Sequence, residues 1–392
     1  MEAYLDNSAT TRVDAQVQEL MKKLMDVDFG NPSSRHQKGV VAEGYIKEAR
    51  QKIAATLKVD PKEFIITSGG TESNNMALIG TALAAKRKGN HIITTAVEHP
   101  SVKATASFLE EQGFRITFLS VDSRGQISLE DLKEALTPDT ILVSIMYVNN
   151  EIGTIQPVEE AAKLVHATVP GAVFHVDAIQ AYGKVMIRPK QQGIDLLSVS
   201  SHKFHGPKGA GFLYCSSKVN LHPIIFGGGQ QSGMRSGTEN VPGAVGMGLA
   251  AQLAYQNFEQ KKTHLNELRR YFLEGIHKLD DVSINGWDET ADGEECIDKR
   301  APHIVSVSFT GVRSEVLLNA LSDRGIYVSS GSACSSNHPA LSSTLQAIGL
   351  DKKLIEGTLR FSFCENTTKE ELDQALKALQ ELLPMLRRYT RR

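Results

Sequence analysis

The sequence predicts an α/β protein: a large domain on a mostly parallel sheet, followed by a smaller α+β domain. Three observations carry this. Between about residues 17 and 255, short β-branched runs alternate with helical stretches. The runs are apolar nearly throughout, as in strands buried on both faces. Near residue 256 the character changes to a long polar helix and then a stretch rich in Asp, Glu and Gly. The expected boundaries are 1–16 for an N-terminal segment joining the small domain, 17–255 for the large domain and 256–392 for the small one.

The elements follow in order. Phe64-Ile65-Ile66-Thr67 reads as a strand that breaks at Ser68-Gly69-Gly70, and an alanine- and leucine-rich helix runs on to about Arg87. His91 to Thr94 is the next strand, followed by a helix through Ser107-Phe108-Leu109. Arg115 to Leu119 and Ile141 to Met146 are strands on either side of a helix at Leu129 to Leu136. Ala172 to Val176 and Ile194 to Val199 complete the series. In the second part, Asn257 to Leu279 reads as a helix and Asn285 to Arg300 as a looser stretch. Strands then fall at Ile304 to Phe309, Ile326 to Val328 and Leu359 to Ser362, with helices at Glu315 to Ser322 and from Lys369.

With 392 residues the chain is too long for one simple core. Its 41% hydrophobic and 22% charged content is that of an ordinary globular protein. A net charge of -2 advertises neither nucleic-acid nor membrane binding. The local exception is Arg387-Arg388-Tyr389-Thr390-Arg391-Arg392, which reads as a solvated end with a phosphate contact as the sharper alternative. No apolar run approaches the roughly 20 residues of a membrane span. The first residues lack a basic region followed by an apolar core, so a cytoplasmic location is expected. Cys215, Cys296, Cys334 and Cys364 are spaced by 81, 38 and 30 residues, with no C-x-x-C, which argues against a structural zinc site or a disulfide framework.

Several polar clusters follow directly on these strands. Asp177 comes at the end of one apolar run, within His175-Val176-Asp177-Ala178-Ile179-Gln180. Lys203 comes twenty-six residues later, in Ser200-Ser201-His202-Lys203 at the end of another. A lysine able to form a Schiff base and an acid for a pyridinium nitrogen are the minimum equipment of a pyridoxal 5'-phosphate (PLP) site. Strand carboxyl ends are where open α/β sheets bind cofactors. Ser68-Gly69-Gly70-Thr71 leads from a strand into a helix N-terminus, where free amides suit a phosphate. Alone, such a turn is more often punctuation, and it matches neither common nucleotide-binding pattern. Val97-Glu98-His99-Pro100 and Val148-Asn149-Asn150-Glu151 also follow strands; singly they read as ordinary loops. Five such sites on strand ends together are hard to dismiss. Cys334 lies in Ser329-Ser330-Gly331-Ser332-Ala333-Cys334, a composition that predicts an exposed, mobile loop and a reactive thiol. Cys215 and Cys364, flanked by aromatics, read as buried small hydrophobes.

These motifs, in this order, resemble the cysteine desulfurases of the NifS/IscS group, within the PLP-dependent class V aminotransferase superfamily. The resemblance runs from Tyr4-Leu5-Asp6-Asn7-Ser8-Ala9-Thr10-Thr11 to about Glu370. It is most specific at Gly69 to Asn75, Val148 to Gly153, Ser201 to Lys203 with Gly206-Pro207-Lys208-Gly209, Met234 to Thr238 and Ser329 to Cys334. It implies the aminotransferase-like fold type I, with a mostly parallel seven-stranded sheet, and assembly as a homodimer. It implies L-cysteine as substrate and a sulfur-acceptor protein as partner, for iron–sulfur cluster assembly or tRNA thiolation. Membrane and direct nucleic-acid contacts are not expected.

Carried over by motif, Lys203 would bind PLP covalently and move the substrate Cα proton. Asp177 would pair with the pyridine nitrogen, Gln180 would bond the phenolic oxygen, and His99 would stack on the ring and move protons. Gly70, Thr71, Ser200 and His202 would hold the phosphate, joined by Thr238 of a second subunit. Asn150 would touch cofactor or substrate. Arg360 would fork the substrate carboxylate, and Cys334 would accept sulfur as a thiolate. Two departures stand out: Phe363-Cys364-Glu365 replaces the glycine and arginine of many relatives, and the sequence stops at Arg392, short of a tail that docks an iron–sulfur scaffold. Alternatives are a selenocysteine lyase, an aminotransferase or β-lyase, and a non-catalytic sulfur-delivery scaffold of the same fold.

Overall fold

The structure is a computed structural model that describes residues 2–330 and 341–390. Cys334 lies outside the described residues, as do the expectations placed on its loop. Thirteen strands occur among the described residues. They are β1 (Ala3–Tyr4), β2 (Phe64–Thr67), β3 (His91–Thr95), β4 (Arg115–Leu119), β5 (Thr140–Met146), β6 (Val173–Asp177) and β7 (Leu196–Ser200), then β8 (Gly211–Cys215), β9 (Val282–Asn285), β10 (Ile304–Phe309), β11 (Ile326–Tyr327), β12 (Ser329–Ser330) and β13 (Thr358–Ser362).

The main sheet has seven strands in the order β2-β8-β7-β6-β5-β3-β4. Strand β8 alone runs against its neighbours; the others share one direction. Their carboxyl ends therefore lie on one edge. Alternate residues feed two cores: Ile66, Ile93, Val143 and Leu197 face one, while Ile65, Ile92, Leu142 and Leu196 face the other. Helices cover both faces, which is why the strands read as unbroken apolar runs. Strands β6 and β7 begin later than the apolar runs suggest, so Asp177 and Ser200 are their last residues. Asp195 is drawn into the preceding loop, where Oδ2 accepts from Phe174 N at 2.9 Å.

Helices at Gln37–Leu57 and Val241–Tyr255 carry no clear signal in the sequence. The second is apolar nearly all round, because it is buried among the first helices and the sheet.

A separate core gathers Leu268, Phe272, Val305, Phe309, Leu359, Phe361 and Leu379. It surrounds a four-stranded antiparallel sheet, β12-β13-β10-β9. Ala3 and Leu5 belong to this core, and β1 pairs in parallel with β11. The Asn285 to Arg300 stretch is not loose. Glu289 is buried there between Arg269 Nε at 3.0 Å and Arg300 Nη2 at 2.9 Å. Its acidic composition hides a carboxylate neutralised by two guanidinium groups. Arg387, in the basic C-terminal run, is also less solvated than its composition suggests. Arg387 Nη2 donates to the Asp280 carbonyl at 2.8 Å, and its Nε to that of Thr310 at 3.0 Å.

Candidate active site

The chain turns tightly where it leaves β2. Gly69 has φ +152, and a Cβ at Gly70 would stand 2.0 Å from Ile179 Cδ1. Gly211 brings β8 equally close, since its Cβ would lie 2.6 Å from Gly69 Cα. The helix Gly70–Ala85 thus starts directly against Ser200 and Ile179. No side chain caps it, so its first amides, Gly70 and Thr71 among them, present donors and a positive dipole end to this edge.

Asp177 ends β6 and is 4% exposed. Its Oδ1 accepts from Ile179 N at 3.0 Å, and its Oδ2 from Asn74 Nδ2 at 2.8 Å. Asn74 reaches this point from the second turn of the helix Gly70–Ala85 and also donates to Ser101 Oγ at 2.9 Å. Ser101 Oγ lies 2.8 Å from His99 Nδ1. His99 caps the helix Pro100–Glu111, its Nδ1 also accepting from Ser101 N at 3.1 Å. One buried chain of polar contacts therefore joins Asp177 to His99. Burial raises the Asp177 carboxyl, while His99 and Lys203 draw it back. Burial lowers the His99 imidazole, opposed by Asp177. Each charge costs desolvation energy and each steadies the other.

Lys203 ends a single 3-10 turn after β7. Its Nζ donates to the carbonyls of Ser8 at 2.6 Å and Ala9 at 2.7 Å. Gln180 Nε2 donates to the same Ser8 carbonyl at 2.9 Å. Thr11 N and Oγ1 both donate to the His202 carbonyl, and His202 Nδ1 lies 3.2 Å from Thr10 Oγ1. Burial, then the charges of Lys203 and Lys208, push His202 down to about 4, so its ring is neutral at physiological pH. Arg360 stands on β13. Its Nη2 pairs with Asp6 at 2.9 Å and its Nη1 donates to the Asn150 carbonyl at 2.8 Å.

The segment from Asp6 to Asp14 is therefore the spine of the site. It touches Arg360, Lys203, Gln180 and His202. Sequence reading placed it only as a joining segment, because carbonyl groups leave no side-chain signature. Asn74, Ser101 and Glu98 were also missed as supports. Glu98 is fully buried: Oε1 accepts from Thr95 Oγ1 at 2.9 Å and Met146 N at 2.8 Å, tying the ends of β3 and β5. Burial pushes its carboxyl up to about 8. Asn149 is a turn residue whose Oδ1 accepts from Glu151 N and Ile152 N.

Lys203, Asp177, Gln180, His99, Asn150, Ser200, His202, Gly70, Thr71 and Arg360 thus stand on or beside one edge, from two cores. Thr238 is exposed. Its segment is tied to that edge through the fork of Arg235 on Glu72 at 2.8 and 3.2 Å. The thiols differ. Cys364 and Cys296 are buried, and Cys215 is half-buried, pushed up to about 12 by burial and the neighbouring carboxylates. On either side of the Cys334 stretch, Ser329 pairs with Arg360, and Ser342 Oγ donates to Glu151 Oε2 at 2.5 Å.

The residues fit PLP. Asp177 is a buried carboxyl that a ring N–H would satisfy and hold ionised. The Asn74 Oδ1 and Ser8 Oγ atoms are buried with no hydrogen-bond partner, and the glycine-lined helix start suits a phosphate. Among the described residues no cluster of metal-ligating side chains competes with this reading.

Comparison with known proteins gives the family. The family model of Aminotransferase class-V matches residues 3–375. Cysteine desulfurase IscS of Dictyoglomus turgidum is 44% identical over 387 residues, covering 98% of this chain and 95% of that protein. Cysteine desulfurase IscS of Methanosarcina thermophila is 43% identical over 384 residues, covering 98% and 92%. The solved structure of a NifS-like protein superposes with a TM-score of 0.91 at 39% identity, covering 98% of this chain and all of that one. The chain belongs to the class-V aminotransferase family, in the NifS/IscS group of cysteine desulfurases.

Proposed function

We propose that this chain is a PLP-dependent L-cysteine desulfurase, which converts L-cysteine to L-alanine and retains the sulfur as a persulfide on Cys334. The observation that carries the reading is the convergence of Lys203, the Asp177–Asn74–Ser101–His99 chain and Arg360 on one sheet edge. When bound, PLP supplies an electron sink for the bond broken at the substrate Cα.

The chain's own residues supply the rest. Asp177 would hold a proton on the ring nitrogen through a charge-assisted bond. Gln180 and His99 would help hold the ring. Gly70, Thr71, Ser200 and His202 would hold the phosphate, His202 as a neutral donor. Arg360 binds the substrate carboxylate, and Asn150 lines the same space. Lys203 Nζ lifts the Cα proton. The Cys334 thiolate attacks the substrate sulfur, so an S–S bond forms as the C–S bond breaks and a proton replaces sulfur on the substrate carbon. The products are L-alanine and a Cys334 persulfide, with no external oxidant or reductant.

The division at 1–16, 17–255 and 256–392, a homodimer with Thr238 reaching the partner's phosphate, and a cytoplasmic location belong to the same reading. So does delivery of sulfur to an acceptor protein for iron–sulfur assembly or tRNA thiolation. No helix among the described residues is long and apolar enough to cross a membrane.

The test is a pair of variants. Borohydride should fix the cofactor to Lys203, and Lys203→Ala should neither fix it nor release alanine. Cys334→Ala should bind PLP and exchange the cysteine Cα proton with solvent deuterium, yet form no alanine catalytically. Near-parental alanine formation by Cys334→Ala would replace the desulfurase reading with a lyase.

A further inference from the structure

The turn that carries Lys203 continues into a second histidine, His205, engaged at every polar atom. Its backbone stands in the left-handed region, at φ +64, an uncommon place for a residue with a side chain. Four contacts hold it there. His205 N donates to Thr11 Oγ1 at 2.8 Å, and its carbonyl accepts from Asp14 N at 2.9 Å. Its Nδ1 faces the Arg12 carbonyl at 2.9 Å, and its Nε2 faces Glu365 Oε2 at 3.1 Å. A carbonyl and a carboxylate are both acceptors. The ring satisfies both only as an imidazolium, with a proton on each nitrogen.

Glu365 follows Arg360 by five residues. Its Oε1 takes Lys261 Nζ at 3.1 Å, and Lys184 Nζ lies 4.0 Å from Oε2. One carboxylate thus faces three cations, and the Cys364 thiol also faces the His205 ring. Burial opposes the Glu365 charge, but Lys184, His205 and Lys261 outweigh it and hold the carboxyl far below its usual range. Burial and the charge of Lys184 push His205 down, but Cys364 and Glu365 outweigh them and hold it up at about 9.

The position is what gives the pair a task. Phe204 packs into the large-sheet core and Phe363 into the other core, so the ion pair spans the seam between them. It joins the turn that follows Lys203 to the segment that follows the Arg360 strand, and these two groups are read above as acting on opposite ends of one small substrate, Lys203 at Cα and Arg360 at the carboxylate. We propose that His205 and Glu365 form an ionic clasp that positions the Lys203 turn against the Arg360 strand, and that deprotonation of His205 in alkali releases it. Both are positioning residues.

The linkage has a definite sign. A histidine raised in the folded state stabilises fully below its ordinary value near 6.5, and that stability is lost as pH rises through about 9. The test compares Glu365→Gln, His205→Gln and the double variant as holoenzymes. At neutral pH each single variant should lose about tenfold in kcat/KM for L-cysteine, and the double no more than either, because one interaction is removed each time. The melting temperature of the parent should fall through about pH 9, and this fall should be absent in all three variants. Multiplicative losses in the double variant, a Glu365→Gln enzyme within twofold of the parent, or an unchanged alkaline fall in His205→Gln would each overturn the clasp. Should Glu365→Gln not fold, the alkaline fall of His205→Gln decides alone. The kinetic arm rests on the desulfurase reading and the melting arm does not, so a parent without cysteine turnover sinks that reading and leaves the clasp to the melting curves.

Discussion

Replacing Asn74 with Ala tests whether the Asp177 carboxylate is built or merely present. The Asn74 amide is fully buried and spends both of its N–H groups, one on Asp177 Oδ2 at 2.8 Å and one on Ser101 Oγ at 2.9 Å. A bond to an ionised carboxylate contributes about 1.5–3 kcal/mol. Asp177 already has its carboxyl raised by burial, and without Asn74 it would ionise less readily. The ring N–H of the cofactor would then meet a weaker acceptor. At about 1.4 kcal/mol per tenfold, the dissociation constant for PLP should rise roughly ten- to a hundredfold. The apoprotein should suffer less, because without the ring N–H the buried carboxyl escapes part of the loss by taking up a proton. The assay is a titration of apoprotein with PLP, followed by absorbance, alongside melting curves of both forms. Asn74→Asp, which sets a second carboxyl against Asp177, should bind more weakly still. A dissociation constant within threefold of the parent, or equal destabilisation of apo and holo forms, would refute the reasoning.

Two further outcomes follow from the same structure. Asp177→Asn should keep one accepting oxygen for Ile179 or Asn74 but lose the other acceptor and the charge, and turnover should fall on the order of 10²; activity within a few-fold of the parent in a steady-state alanine assay would make Asp177 structural. Glu289→Gln should leave Arg269 and Arg300 buried without their carboxylate and cost about 3–5 kcal/mol, read as a lower urea midpoint.

The alternation of strand and helix, six of the seven strands of the large sheet and the polar clusters at their ends were legible in the sequence; the antiparallel β8 was not. Strands buried on both faces must be apolar throughout, and polar residues directly after them must face the edge. Asp177, Lys203, His99 and Asn150 could be named for that reason. So could the glycine turn after β2, and the structure shows why glycine is needed there, where Gly69 and Gly70 crowd Ile179 and Gly211. Motif order then assigned Arg360, far away in the chain.

The tertiary structure alone decided what holds these groups. The carbonyls of Ser8 and Ala9 beneath Lys203, the Asp6 carboxylate on Arg360 and the Asn74 relay between Asp177 and His99 arise from contacts across 354, 194 or 103 residues of chain. Backbone carbonyls are the same in every residue, so no composition marks the ones that matter. Charges behave likewise. Glu289, Glu365 and Glu98 read as ordinary acidic residues, yet the first is sealed between two arginines, the second gathers three cations and the third is buried with its carboxyl raised. A side chain's type sets what it can bind. Its burial and its neighbours, which only the fold brings together, set its charge.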